Sequence, residues 1–349
     1  MDQASLWVGL DTGVLATSVC IIDNDGCIIA EEKCRSETKA VKDILSRWPL
    51  GLIEAITIEA GVGTHIVREL RELGFPVQVV EVRKSSKFLT IRRQKTDAND
   101  ANGLAELGRI GRSIGSGVFV KPLECQNIRT QLNARNCLVR LRVKIDALIQ
   151  SMARLHGCNL QIRIGVGALE RDIASCLAKL ADDGINVEAD ILPLVEIAEK
   201  LRAQLNRIDR RFRALANANP VCSLLMTVPG VGPITALSFY SAIGDPFRFS
   251  ANRDIGPYLG LTPSLHQSGV ISRPGRISRF GSKMTRTHLV TAATVLLCKT
   301  RKESELRSWG LRLVQRAGLS KARVAVARKM AVIMLRMWKE DIPFNPAHG

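Results

Sequence analysis

A chain of 349 residues suits two or three domains, and an apolar content of 46% excludes a disordered protein. Nine cysteines without a Cys-x-x-Cys pair or a His-x-x-x-His partner exclude a zinc knuckle and a disulfide frame, and no apolar run reaches the length of a membrane span. The net charge of +17 is uneven: residues 1–120 carry 15 Lys/Arg against 16 Asp/Glu, residues 121–245 carry 16 against 12, and residues 246–349 carry 19 against 5.

The N-terminal third alternates strand and helix. LWVGLDTG (6–13) is a short apolar run ending in Asp and Gly, and TSVCIID (17–23) and GCIIAEEKC (26–34) flank the hairpin turn Asn24-Asp25-Gly26. Residues 37–48 read as helix, 54–60 as a buried strand, Thr64 to Leu73 as an amphipathic helix stopped by Gly74, and 75–82 as another strand. A polar, basic stretch leads into a helix near Ala98–Gly111. Three strands opening with a hairpin, then helix–strand repeats, predict a ribonuclease H-like α/β layer over residues 1–120. An actin-like ATPase fold would begin in the same way, but residues 61–120 offer no further Gly-rich phosphate loop.

Residues 121–218 read as helical. Leu138, Leu141, Ile145, Leu148, Met152 and Leu155 step by three and four, as do Leu194, Ala198, Leu201, Leu205, Ile208, Phe212 and Leu215. Each is a heptad seam, equally suited to a helix pair within one chain and to a coiled coil between chains. The stretch from Gly157 to Gly184 has no clear pattern. Asn219-Pro220 marks the next boundary, and residues 219–349 read as short helices and turns rich in Gly, Pro, Ser and Arg.

Four carboxylates carry the first chemical expectation. Asp11 and Glu59 end apolar strands, where a charge is costly. Asp97 and Asp100 share a helix face by their spacing. If the four converge, their mutual repulsion calls for cations, and hard oxygen ligands select Mg²⁺ or Mn²⁺. Two such ions can hold a phosphodiester and polarise its oxygens.

The basic C-terminal segment predicts a polyanion partner, most simply nucleic acid. VPGVGPITA (228–236) has the form of a helix-hairpin-helix turn, in which Gly230 and Gly232 would let backbone N–H groups approach a phosphate. In the segment 260–293, Ser268 precedes Gly269 in a loop-like context, followed by Arg273, Arg276, Arg279, Lys283 and Arg286. A serine hydroxyl among guanidinium groups can attack a phosphate if its proton is removed. On the residues alone, Ser264, Ser272, Ser278 and Ser282 are equally arguable, and a turn serine beside backbone-binding arginines is the simpler reading.

Taken together, VGLDTG, TIEAGVGTHIVRELRELG, the Lys-x-Asp-x-x-Asp-Ala run at Lys95–Ala101, VPGVGPITA and LGLTPS…QSG…GRISRFG…R…L…AA resemble the IS110 transposases and their relative the pilin-gene invertase. The pieces occur in that family's order across almost the whole chain. The resemblance implies a RuvC-like N-terminal domain whose Asp-Glu-Asp-Asp site falls on Asp11, Glu59, Asp97 and Asp100. It implies a coiled-coil middle and a mainly helical C-terminal domain with a nucleophilic serine, which falls on Ser268. It also implies Mg²⁺ assistance, an active site combining the acids of one subunit with the serine of another, and a 5′-phosphoserine-type link to DNA. The implied partners are donor and target DNA, a bridge-type guide RNA and further copies of the chain in a homodimer or homotetramer, acting in a bacterial cytoplasm without a signal peptide or membrane. A metal-dependent junction nuclease with a structural serine is the alternative. The sequence departs from the family pattern at His266, where an aromatic residue is common, and at Ser282, where an acid is common.

Overall fold

The computed structural model describes residues 5–90, 96–111, 117–160, 168–268 and 271–347, apart from the side chains of 83–84, 168–171, 265–268 and 271–274. It divides into two compact units, Met1–Val120 and Lys121–Gly349.

The first unit is built on a five-stranded sheet in the order β3-β2-β1-β4-β5. Its strands are β1 (Leu6–Thr12), β2 (Ala16–Ile22), β3 (Ile28–Arg35), β4 (Ile53–Glu59) and β5 (Val77–Val80). β1, β2 and β3 pair antiparallel, whereas β4 and β5 continue parallel on the other side of β1. β1 is central and holds five consecutive buried residues, while β3 sits at the edge and has none. The turn between β2 and β3 closes where Asp23 Oδ1 accepts from the backbone of Asp25 and Cys27, and Gly26 takes the left-handed φ of 86° that favours glycine.

Alternation along the strands gives the sheet two faces. Val8, Leu10, Val19, Ile21, Ile56 and Ile58 face α1 (Thr38–Leu45) and α2 (Thr64–Glu72), which contribute Val41, Ile44, Ile66 and Leu70 to that core. After α3 (Val82–Leu89) comes α4 (Asp97–Ile110), which covers the opposite face against Trp7, Cys20, Ile22 and Ala55. Two glycines make the approach of α4 possible. A methyl group at Gly9 would lie 1.9 Å from the Ala101 carbonyl oxygen, and one at Gly108 would lie 2.3 Å from Thr57 Oγ1.

The second unit is helical apart from one hairpin. α5 (Leu123–Leu155) and α7 (Glu188–Ala218) pack side by side, with α6 (Ala168–Asp182) against their far end. The pairs Arg135–Asp209 and Asp146–Arg202 advance along one helix as they retreat along the other, so the helices are antiparallel. Their contact departs from the expected seam on α5 and keeps Ala198, Leu205 and Phe212 of the expected seam on α7. Leu141, Leu148 and Leu155 are exposed, whereas Ile128, Leu132, Ile149 and Ala153 are buried. On α7 the buried line is Ile191, Val195, Ala198, Arg202, Leu205, Phe212 and Ala216. Polar residues in that line explain the difference: Arg202, only 4% exposed, donates to Asp146 Oδ1 at 2.6 Å, and Arg135 makes a two-pronged contact with Asp209. A seam search restricted to apolar residues passes over such layers.

The remaining helices are α8 (Pro220–Leu225), α9 (Pro233–Ile243), α10 (Ile255–Tyr258), α11 (Lys283–Cys298), α12 (Glu305–Ala317) and α13 (Leu319–Glu340). They enclose a core around Phe212, Phe239, Leu289, Met330 and Met334. The sequence suggested short helices here, but α11 and α13 run to 16 and 22 residues. Between α10 and α11 lies the hairpin β6 (Pro263–Ser268) and β7 (Ile271–Ile277), where a loop was expected. Its register shifts between Pro263 and Leu265, opposite Pro274 and Ile277, which breaks the regular alternation by which strands are recognised. Among the described residues, no helix is long and apolar enough to cross a membrane.

Candidate active site

In the first unit the strand register sets the carboxylates. Asp11 pairs with Ser18, and Ser18 with Lys33, so these three side chains form a row across β1, β2 and β3. On the other side of β1, Leu10 pairs with Ile58, which sets Glu59 beside Asp11 one step further along. Trp7, Gly9 and Asp11 share one face by alternation, and the first two of these positions meet α4. Asp97 and Asp100 occupy the first turn of the same helix, one turn before Ala101 and Ala105, which press on β1. The four acids therefore belong to one face and one end of the sheet. Asp11, Glu59 and Asp100 are half-buried, and Asp97 is exposed.

Two further residues hold this group. Lys33 Nζ donates to Asp97 Oδ2 at 2.9 Å, and that hydrogen bond and charge keep the Asp97 carboxyl below the usual carboxylate range. Ser85, fully buried on α3, donates to Glu59 Oε1 at 2.6 Å. Neither was singled out from the sequence, because Lys33 is linked to Asp11 only through the pairing of three strands. Lys95, in the same motif as Asp97, lies outside the described residues.

Among the described residues, no three His, Cys, Asp or Glu side chains stand close enough to share one metal ion. Lys33 places its positive charge on Asp97. The donor set is all oxygen and anionic, which suits a hard divalent cation.

In the second unit, Ser268 ends β6 and pairs with Ile271, and Arg273 pairs with His266 on the facing strand. Their side chains, together with Gly269, lie outside the described residues. Two competing serines have structural work. Ser264 Oγ donates to the Arg276 carbonyl, and Ser282 caps α11 by accepting from the Thr285 amide. Arg276, Arg279 and Lys283 are exposed.

Arg286 differs from them. It is 8% exposed, and its Nη1 donates to the carbonyls of Leu259 and Phe280, both at 2.9 Å. Burial and the nearby charge of Arg279 push its pKa down. The two bonds clamp the turn 279–281 against the end of α10. Arg279 is held there at φ 58°, a conformation unusual for a residue with a side chain, and Gly281 at φ 69°. A methyl at Gly281 would meet the Tyr258 carbonyl at 2.1 Å. Arg286 is thus bonded within the fold, unlike the exposed Arg276, Arg279 and Lys283.

The glycines of the 228–236 turn also divide. Gly230 has φ 91°, and a methyl there would come 2.5 Å from the Ala292 carbonyl on α11. Its absent side chain serves packing. A methyl at Gly232, the N-cap of α9, meets nothing within 4 Å, so the backbone there is open to approach.

Comparison with known proteins fits this layout. Residues 8–157 match a transposase family model named for the Asp-Glu-Asp-Asp residues of IS110 elements, and residues 222–308 match the model described as the transposase IS116/IS110/IS902 family. Together the two matches cover more than half of the chain. The chain is 27% identical to the transposase for insertion sequence element IS1111A of Coxiella burnetii, over 94% of this chain and 88% of that protein. It is 28% identical to a probable family 20 transposase of Pseudomonas aeruginosa, over 97% and 98% of the two chains. Similarity to the pilin gene-inverting protein of Moraxella bovis, 28% identical, spans 40% of this chain and 45% of that one. The match to an Asp-Glu-Asp-Asp transposase domain points to use of a divalent metal in general. Transposases act on DNA, and this chain belongs to the IS110 family of insertion-sequence transposases.

Proposed function

We propose that the protein cuts and exchanges DNA strands with Ser268 as nucleophile and with Mg²⁺ or Mn²⁺ held by Asp11, Glu59, Asp97 and Asp100. The observation that carries this reading is the strand register that sets Asp11 beside Glu59 on the face covered by α4, whose first turn bears the other two acids. An antiparallel run of three strands continued by parallel strands beyond β1 is also the arrangement expected of a ribonuclease H or RuvC-like domain over residues 1–120. The helical region 121–218 then acts as a coiled coil, and residues 219–349 act as the serine-bearing transposase domain.

Divalent ions held by Asp11, Glu59, Asp97 and Asp100 would supply positive charge to the phosphate oxygens. The chain's own residues do the rest. Ser268 Oγ loses its proton to a base and forms a bond to the scissile phosphorus, while the bond from phosphorus to the 3′ oxygen breaks and that oxygen takes up a proton. A 5′-phosphoserine and a free 3′-hydroxyl result. The 3′-hydroxyl of the partner strand then attacks the same phosphorus and releases the serine, so one phosphodiester is exchanged for another. Arg273, Arg276, Arg279 and Lys283 neutralise the phosphate oxygens, and Gly232 opens the α9 N-terminus to the DNA backbone. Further copies of the chain, as a homodimer or homotetramer, and a bridge-type guide RNA from the element's flank complete the assembly.

The test is a denaturing gel of DNA cut by the full-length protein with Mg²⁺. A covalent protein–DNA adduct is expected with the wild type. It should disappear with Ser268→Ala and fall at least about 10³-fold with Asp11→Asn or Glu59→Gln. Free ends made equally well by Ser268→Ala would replace this reading with a metal-dependent junction nuclease.

A further inference from the structure

The turn joining β1 to β2 breaks the usual chemistry of tight turns. Turn tips favour Gly, Asn, Asp, Pro or Ser, which either take the required dihedral angles or bond to the local backbone. Here the two tip residues are Val14 and Leu15, which are 81% and 85% exposed. They bury almost nothing, so their apolar area contributes no stability. A local rule broken without structural gain marks a functional position.

The tip is also stiff. The Gly13 amide donates to the Ala16 carbonyl at 2.9 Å, and the Ser36 amide donates to the Leu15 carbonyl at 3.1 Å. Ser36 Oγ donates to the Gly13 carbonyl at 2.8 Å and lies 2.9 Å from Thr17 Oγ1. A third exposed apolar residue, Val62, stands in the neighbouring loop after β4, where Gly63 packs on Thr12. The three apolar side chains rim the sheet end that carries Asp11 and Glu59. The exposed Arg35, which pairs with Ala16 at the base of the turn, adds positive charge beside them, whereas Lys33 is paired with Asp97.

A rigid apolar tip flanked by a cation, beside acids that act on phosphodiesters, matches the side chains that proteins push between base pairs to unstack and bend a duplex. We infer that Val14 and Leu15 form a wedge that enters a base step of the DNA next to the phosphodiester at the carboxylate site. This inference rests on the catalytic reading proposed above for that site. Arg35 at the base of the turn fits a polyanion better than an apolar protein surface.

The probes are a synthetic linear duplex and a four-way junction, each with 2-aminopurine at its central step, mixed with full-length protein in EDTA so that no cleavage intervenes. The wild type should raise 2-aminopurine fluorescence at least about twofold on one of the two probes. The double variant Val14→Ser/Leu15→Ser, altered only at exposed positions, should keep its melting temperature and bind within about threefold, yet lose the rise. Leu15→Phe should retain it. A rise that persists in the double variant overturns the wedge, as does the absence of any rise while wild-type protein is bound. So does a change in oligomer size in the double variant without a change in fluorescence, which would make the tip a contact between proteins. Asp11→Asn separates the two ideas: it should keep the fluorescence rise and lose strand exchange. If it exchanges strands normally, the carboxylate reading fails while the wedge stands. If the wild type binds neither probe, the wedge fails, and the carboxylate reading is judged by strand exchange alone.

Discussion

The two units handle charge in opposite ways. In the sheet unit, Asp11 and Glu59 stand near the ends of strands and Asp97 and Asp100 open α4, with Lys33 bonded to Asp97 and Ser85 to Glu59. In the helical unit, much of the charge is spent on the fold. Arg202 and Arg135 form ionic layers between α5 and α7, and Arg286 clamps a turn. Charge density along a sequence is therefore a poor guide to a binding surface, and burial decides which cations remain for DNA. A strand-end acid with no packing role is the more informative signal.

The largest expected effects test how backbone contact builds each unit. Gly9→Val should cost at least about 3 kcal/mol, since its side chain has no room before the Ala101 carbonyl. Hydrogen exchange should report lost protection in α4 and β1 while the helical unit is unaffected. Gly230→Ala should destabilise the helical unit by about 2–4 kcal/mol through its left-handed backbone and its clash with α11. Gly232→Ala should change stability by less than about 0.5 kcal/mol. Equal effects of the two glycine changes in the 228–236 turn would remove the distinction between a packing glycine and an open one.

These glycines also mark how far the sequence could be read. The strands of the first unit were legible because their apolar runs are bounded by turns, and the helix expected near Ala98–Gly111 runs over Asp97–Ile110. Register was not legible, and with it went the row from Lys33 through Ser18 to Asp11, which depends on pairing between strands far apart in the chain. The pair Arg202–Asp146 stayed hidden because residues 56 apart have no common local pattern. At the serine hairpin, two prolines and a register shift masked a strand pair as a loop. The choice of Ser268 over its neighbours came from resemblance. In the structure Ser282 caps α11 and Ser264 bonds to the Arg276 carbonyl.

A smaller pair of effects separates cations that serve the fold from those that face solvent. Arg286→Gln should destabilise the helical unit by about 2–3 kcal/mol, because the buried Leu259 carbonyl and the part-buried Phe280 carbonyl lose a charged donor. Arg276→Gln, at an exposed position, should leave the melting temperature unchanged. Its binding to duplex DNA should weaken at every sequence, and the slope of log affinity against log salt should fall by about one. If Arg286→Gln lowered affinity and left stability intact, the assignment of these two arginines would be reversed.

The smallest effect concerns a single proton in the helical unit. His288 on α11 has a buried Nδ1 with no hydrogen-bond partner among the described residues. Burial, helped by the charge of Arg135, pushes its pKa down from 6.5 to about 4. The unfolded chain therefore binds this proton between about pH 6.5 and pH 4, and the folded chain does not, so stability rises with pH across that window. On acidification from pH 7 to pH 5, this group alone should remove about 2 kcal/mol. Other titrating groups add their own slopes, so the measurement is the difference between wild type and His288→Leu in urea unfolding at the two pH values. The variant should lose less stability than the wild type on acidification, and hydrogen exchange should confine the difference to the helical unit. Identical losses in the two proteins would mean that His288 is solvated enough to titrate normally, and the helical core would then be open to water at that point of α11.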